Sequence, residues 1–239
     1  MNEPIHTYEP AIDDQTWRRF ETPSTATLTT VLAKRGFWNT FITGAAPLTS
    51  GNRMVGQAYT LRYIPAREDL DNNLVFDNST DPQRVAVEAV GPRDVLVIDA
   101  RGDERAGVMG NILATRIFQR GAVGVVTDGC FRDSPAIAAI GRPAYARSAH
   151  AATNKTIHHP IDVQLPISCG GVAVYPGDIL VGDDEGVVVV PRHIAAEVAE
   201  AAAEQERTES FILKKIEGGA PLLGTYPMDE KTRREFEGG

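Results

Sequence analysis

Two short groups of residues have types and spacing that could do chemistry together: Gly110-Asn111 and, after twenty intervening residues, Arg132-Asp133. Between them Ile112, Leu113, Ile117 and Phe118 recur at helical spacing, with Arg116 and Arg120 on other faces and Gly121 as the stop. The run from Ala122 to Thr127 is short, apolar and β-branched, as a strand buried on both faces is, and Asp128-Gly129 closes it with a turn. If the segment beyond the strand folds back, it meets the start of the helix. There the unpaired N–H groups of Gly110, Asn111, Ile112 and Leu113, together with the helix dipole, favour an anion. Arg132 adds a planar fork that grips a carboxylate bidentately. Asp133 supplies the hard oxygen ligand that Mg²⁺ or Mn²⁺ takes, with water and substrate oxygens completing the shell. The spacing also allows a plainer reading, an exposed Arg-Asp ion pair at a strand end that contributes little.

The elements needed to hold those residues alternate along the chain. Ser24 or Thr25 caps a helix in which Leu28, Val31 and Leu32 share a face and which ends near Gly36. Residues 54–64 alternate, Tyr59, Leu61 and Tyr63 opposing Ala58, Thr60 and Arg62, which is strand behaviour. Residues 65–82 are polar and acidic and read as a long loop; a short helix over 83–90 then leads to the strand 94–99 and so to the motif. Downstream, 134–140 suits a short helix and 143–146 a brief strand, while 147–169 is less regular. Strands around Val172, 179–181 and 187–190 are separated by Pro-Gly-Asp and Asp-Asp-Glu-Gly turns, whose chemistry accounts for Asp178, Asp183, Asp184 and Glu185 without a metal cluster. From Pro191 a long helix carries Ile194, Val198, Ala201, Ala202, Phe211, Ile212 and Ile216 on or near one face and stops at Gly218-Gly219. Residues 1–23 read as an N-terminal arm or short helix, and 24–239 as a single α/β domain with ample length for a core.

Composition narrows the function classes. A net charge of −8 argues against nonspecific nucleic-acid binding, which needs basic patches. No apolar run reaches membrane length and the N-terminal residues lack signal-peptide regions, so the expected location is cytoplasmic. Cys130 and Cys169 are too few for a disulfide framework and read as reduced thiols. His158 and His159 are adjacent, so in an extended segment they point to opposite faces and do not share an ion. The sequence has no His-Glu-x-x-His motif, phosphate loop, dinucleotide fingerprint or nucleophile elbow, and no lysine close to the motif for a Schiff base. A Schiff base from a distant lysine stays open; otherwise, by elimination, chemistry would have to run through a metal.

At Gly110, Arg132 and Asp133, with that spacing, the chain resembles the RraA-like family. This family includes the divalent-metal 4-hydroxy-4-methyl-2-oxoglutarate aldolases and proteins named as regulators of ribonuclease E activity. A second block, from Gly170 to Pro191, is similar to the family's C-terminal signature, and the similarity extends over most of residues 24–216. The resemblance implies a layered β/β/α fold like the swivelling domain of phosphohistidine modules. It also implies a homotrimer or hexamer with sites at subunit interfaces. The implied activity is metal-dependent C–C cleavage of a small 2-oxo acid to pyruvate, by retro-aldol reaction or by decarboxylation of an oxaloacetate-like acid. In that reading the substrate carboxylate sits on the amides of residues 110–113 and on Arg132, and Asp133 holds Mg²⁺ or Mn²⁺. One position departs from the family pattern: the aldolases have an acidic residue where this chain has Asn111, which orients a water but is no general base. Asp103 and Glu104, in the preceding loop, are the nearby acids that could substitute, or they are exposed loop charges. Two other functions stay open: a non-catalytic regulator binding a ribonuclease or helicase, and a metal-dependent hydrolase or dehydratase of a sugar-derived 2-oxo acid. A pure binding protein has no physical need for a carboxylate beside Arg132.

Overall fold

The alternation at residues 54–64 marks the strand about which the sheet is built. The computed structural model describes residues 12–71 and 77–238, so part of the N-terminal arm expected over 1–23 lies outside the described residues. Helices α1 (Asp14–Arg19) and α2 (Thr25–Ala33) precede the short strand β1 (Ala46–Pro47) and the long strand β2 (Met54–Pro65). Then come α3 (Pro82–Ala89), β3 (Asp94–Asp99), α4 (Asn111–Gln119), β4 (Gly124–Thr127) and β5 (Cys130–Phe131). After α5 (Ser134–Ala138), β6 (Ala144–Ala146), β7 (Ser148–Ala149) and β8 (His158–Val163) there are two hairpins. These are β9 (Ile167–Cys169) with β10 (Val172–Val174), and β11 (Ile179–Gly182) with β12 (Val187–Val190). Helices α6 (Ala195–Glu217) and α7 (Glu230–Glu237) end the chain.

The main sheet runs β1-β6-β4-β3-β2-β11-β12, with β8 on the far half of β2. β2, β3, β4 and β6 are parallel neighbours, and β8 and β11 run antiparallel to β2. Every position of β3 and β4 is buried, because both faces of the parallel strands are covered. On one face Tyr59, Leu61, Leu96 and Ile98 pack against Val87 of α3 and Ala114 and Ile117 of α4. On the other, Ala58, Val95, Val97 and Val126 pack against Cys169, Val172 and Val174 of the β9–β10 hairpin. Beyond β2, Ile179, Val181, Val188 and Val190 meet α2, α6 and Phe20. This is the layered β/β/α arrangement that the family resemblance implies, in one mixed α/β domain.

Four local features differ from the sequence reading, each for a physical reason. The alternation in β2 does not separate core from solvent, since its first eight positions are all buried between the two layers. β8 was hidden in the irregular stretch 147–169: it carries Pro160, its polar residues His159 and Asp162 are partly exposed, and its pairing with β2 shifts register at Arg62/Tyr63. Ile112 is 80% exposed, so α4 buries Ala114 and Ile117 while Leu113 and Phe118 only flank the core. α7 gives Phe211 of α6 its partner, Phe236, with ring centroids 5.3 Å apart. The expected stop at Gly121 holds: it has φ 98° and donates to Phe118 O while Ala122 donates to Ile117 O, a Schellman closure.

The two adjacent histidines do face opposite ways. His158 is buried, stacks on Tyr63 with centroids 5.4 Å apart, and has Nδ1 3.1 Å from an Arg101 amine and Nε2 3.3 Å from Ala106 O. A guanidinium only donates, so Nδ1 accepts and Nε2–H donates to the carbonyl, which makes the ring neutral. Burial lowers its pKa below the ordinary 6.5. The neutral form is therefore favoured by folding, and its contribution is present above pH 6.5 and lost as pH falls below it. Urea unfolding from pH 7 to pH 5 should show stability falling by up to ~1.4 kcal/mol per pH unit from this group, the one-proton limit. His158→Gln should flatten that slope; an unchanged slope contradicts the assignment.

Candidate functional site

The topology brings the two halves of the motif together. β3 and β4 are parallel neighbours joined through α4, so the C-terminal ends of both strands and the N-terminus of α4 share one sheet edge. Past that edge the two loops continue to pair. Val108 N–H donates to Cys130 O at 2.7 Å, and Arg132 N–H donates to Met109 O at 2.9 Å. Gly107 makes this possible, because a Cβ there would lie 2.5 Å from Arg132 N. Behind the pairing, the buried Asp128 carboxylate accepts the N–H groups of Ala100, Gly102 and Gly170 at 2.8, 3.0 and 3.2 Å, which fixes where the first loop leaves β3.

Asp133 ends the second loop in the left-handed conformation, φ 58° and ψ 33°, which Asp tolerates better than most residues. That turn throws its carboxylate back over the start of α4. Oδ2 lies 3.4 Å from Asn111 N and would be 2.6 Å from a Cβ at position 110. Gly110 therefore serves two purposes: it offers no side-chain cap to α4, and it leaves room for the Asp133 carboxylate. Arg132 Nε is 3.9 Å from Asp133 Oδ1, too long for a hydrogen bond, and the two side chains are 49% and 41% exposed. Such a pair is weak, and among the described residues the guanidinium makes no side-chain hydrogen bond.

All six sequence-predicted site residues line one cavity of about 250 Å³: Gly110, Asn111, Ile112, Leu113, Arg132 and Asp133, the last being the candidate metal ligand. One detail departs from the expectation that the amides of 110–113 all await a ligand, since Asn111 N–H already faces Asp133. The first-turn N–H groups of Ile112 and Leu113 have no carbonyl four residues back within the helix and are the ones left for an anion. Sequence reasoning missed Gln83 and Arg84 of α3, Thr153 and Asn154, which form another wall. Only a short helix over 83–90 was legible there, and it says nothing about which cavity the helix faces.

The substitute acids are not brought to the site. Neither Asp103 nor Glu104 lines the cavity. Asp103 accepts from the Arg105 guanidinium, which holds its pKa down at about 2, so it is a poor base near neutrality. Glu104 instead accepts from Ser148 Oγ at 2.6 Å. Cys130 is buried against Ser148 and does not line the cavity either. The turn acids behave as turn acids: Asp178 accepts backbone N–H from Tyr175 and Arg192, and Asp183 accepts from Thr25 and Glu185. A larger groove of about 730 Å³, lined by Phe37, Val172, Tyr175 and Pro191 among others, is mainly apolar, and its carboxylate is this occupied Asp178.

The donor set at the cavity is one carboxylate with neutral amides. Among the described residues no group of three or more His, Cys, Asp or Glu could hold a metal. A transition-metal site of nitrogen and sulfur ligands is not what these residues build. They fit a hard divalent cation that keeps most of its water and takes one protein oxygen. Also among the described residues, no helix is long and apolar enough to cross a membrane.

Comparison with known proteins agrees with the architecture. The RraA-like model, described as Aldolase/RraA, matches residues 25–189, and the chain belongs to this family. A protein of Halalkalibacterium halodurans provisionally named 4-hydroxy-4-methyl-2-oxoglutarate aldolase is 32% identical over 75% of this chain and 80% of its own length. Protein DlpA of Legionella pneumophila is 29% identical over 74% of this chain, which spans only 28% of DlpA. Among solved structures, an uncharacterized Pseudomonas syringae protein aligns with TM-score 0.78 and 29% identity over 92% of this chain and all of its own. Streptomyces coelicolor RraAS2, described as an unusual member of the RNase ES inhibitor RraA family, aligns with TM-score 0.76 and 32% identity over 85% of this chain and 98% of its own.

The two glycines give a test of the geometry. Gly107→Ala sets a Cβ against backbone and should cost about 2–3 kcal/mol in urea unfolding. Gly110→Ala meets only the end of a side chain, so it should cost no more than about 1 kcal/mol. It should nonetheless displace the Asp133 carboxylate and weaken Mn²⁺ binding, followed by electron paramagnetic resonance, by at least ~10-fold, or ~1.4 kcal/mol. Equal destabilisation by both, or unchanged Mn²⁺ binding in Gly110→Ala, contradicts this account.

Proposed function

We propose that this chain is a divalent-metal-dependent lyase that cleaves a C–C bond of a small 2-oxo acid to give pyruvate. The observation that carries the reading is the Asp133 carboxylate turned over the start of α4 beside an Arg132 fork that, among the described residues, has no competing side-chain hydrogen bond. The aldolase names of relatives support the reaction class. Arg132 and the Ile112 and Leu113 amides bind the acid's carboxylate and fix its orientation in the cavity. As the C–C bond breaks, its electron pair moves toward the 2-oxo oxygen to leave an enolate, and the Arg132 guanidinium in the same cavity would stabilise the negative charge that grows there. Asp133 would hold Mg²⁺ or Mn²⁺, which when bound supplies further positive charge for that oxygen.

The two candidate reactions differ in what they ask of the protein. Retro-aldol cleavage needs a base for the 4-hydroxyl proton. Asn111 has no titratable group, and Asp103 is held ionised by Arg105 away from the cavity. Decarboxylation needs no such base: carbon dioxide leaves, the broken bond's electron pair forms the pyruvate enolate, and water protonates that enolate at C3. The residues therefore favour decarboxylation of an oxaloacetate-like acid over aldol cleavage in this chain. The likeness to RraAS2 supports a second reading, a protein-binding regulator of a ribonuclease.

Steady-state assays with oxaloacetate and with 4-hydroxy-2-oxo acids separate these readings. Turnover should vanish with a chelator, and Asp133→Ala should lower kcat/KM by at least ~100-fold. Arg132→Lys should mainly raise KM, because a point charge replaces a fork. Asn111→Asp should raise aldol cleavage relative to decarboxylation. Chelator-insensitive turnover contradicts the metal role; absence of turnover on every 2-oxo acid, with binding to a ribonuclease, favours the regulator.

A further inference from the structure

Gln83 is 2% exposed, yet it lines the cavity, and its amide reaches three separate parts of the fold. Nε2 lies 2.6 Å from Val108 O and 2.7 Å from the Tyr63 hydroxyl, while Oε1 lies 3.4 Å from Asn154 Nδ2. A carbonyl only accepts, so the end of the amide facing Val108 must be the NH₂ group. The remaining polarity follows from that one atom. Gln83 gives one hydrogen to Val108 O and one to the Tyr63 oxygen, whose own proton is directed to Val108 O at 3.2 Å. Asn154 must present its NH₂ to Gln83, and its oxygen accepts from the Thr153 hydroxyl at 3.3 Å.

Val108 is the residue whose place matters most for the site. Its carbonyl is held by Gln83 and Tyr63, and its N–H by Cys130 O. The next residue, Met109, accepts the Arg132 N–H, and the one after it is Gly110. We propose that Gln83 is a positioning residue that sets the spacing between Arg132 and the first turn of α4 by fixing the Val108 peptide. The site it positions is the one read above as a 2-oxo acid lyase, and the inference rests on that reading for its catalytic consequence. The cost of losing the donor falls on a buried carbonyl left with a single, longer hydrogen bond.

Hydrogen exchange and kinetics on Gln83→Met test this. Methionine fills a similar volume without a donor, so the amides of Val108 and Arg132 should lose protection by at least ~10-fold while the β3 and β4 amides keep theirs. With oxaloacetate and Mg²⁺, KM should rise about 10-fold with kcat within about 2-fold, the signature of losing binding common to ground and transition states. A merely structural role would instead lower kcat with the folded fraction and leave KM alone. Should Gln83→Met not fold, Gln83→Asn takes its place: one methylene shorter, it keeps the amide in the cavity but withdraws it from Val108 O, and the same changes are expected. Unchanged protection at Val108 and Arg132, or a fall in kcat at constant KM, overturns the proposal. Wild-type protein with no turnover on any 2-oxo acid counts against the lyase reading alone, and the exchange result still decides the role of Gln83.

Discussion

Two backbone hydrogen bonds beyond the ends of β3 and β4, Val108 to Cys130 and Arg132 to Met109, are the constraint on which the site depends. Parallel strands bring their C-terminal ends to one edge, but that leaves the following loops free to diverge. Here the loops stay paired for another two residues, and so the start of α4 and the Arg132-Asp133 turn face each other at hydrogen-bond range. Gly107 permits the approach and Asp128 anchors the loop behind it. The left-handed Asp133 then completes the geometry by sending a carboxylate back rather than outward.

The electrostatic consequence is local and runs against the chain as a whole. The protein carries a net charge of −8, yet this cavity is lined by Arg84 and Arg132 against the single carboxylate of Asp133, with a helix N-terminus opening into it. On the proposed reading such a site takes a small acid, and the net negative charge of the chain as a whole opposes polyanions. The cavity volume of about 250 Å³ suits a molecule of a few carbons. Where the family resemblance implies an acidic residue, Asn111 offers an amide that can orient a water but has no proton to exchange, which on the proposed reading disfavours the aldol reaction.

What was legible in the sequence is what lies close along the chain. The helix–strand unit between Gly110 and Asp133 is one contiguous segment, so spacing made a shared site for Gly110, Asn111, Arg132 and Asp133 one of two readings, and the family resemblance favoured it over a plain surface ion pair. Turn chemistry correctly explained Asp178 and Asp183. Gln83, Arg84 and Asn154 arrive from α3 and the 154–156 turn, far away in sequence, and nothing in their neighbours marks them as cavity residues. β8 was invisible because a proline and partly exposed polar residues erase the apolar pattern by which strands are read. For Asp103 the sequence left two readings, a substitute acid or a loop charge, and the structure pairs it with Arg105 away from the cavity, along a loop path that sequence does not give.

The central claim is that Asp133, Arg132 and the first turn of α4 bind a cation and a 2-oxo acid as one unit. A crystal grown with Mn²⁺ and pyruvate, with data collected at the manganese absorption edge, measures this directly. The account predicts an anomalous peak beside the Asp133 carboxylate, bound directly or through one water. It also predicts the pyruvate carboxylate on the Arg132 guanidinium and the Ile112 and Leu113 amides. Manganese and pyruvate ordered elsewhere, with this cavity holding only water, would contradict it.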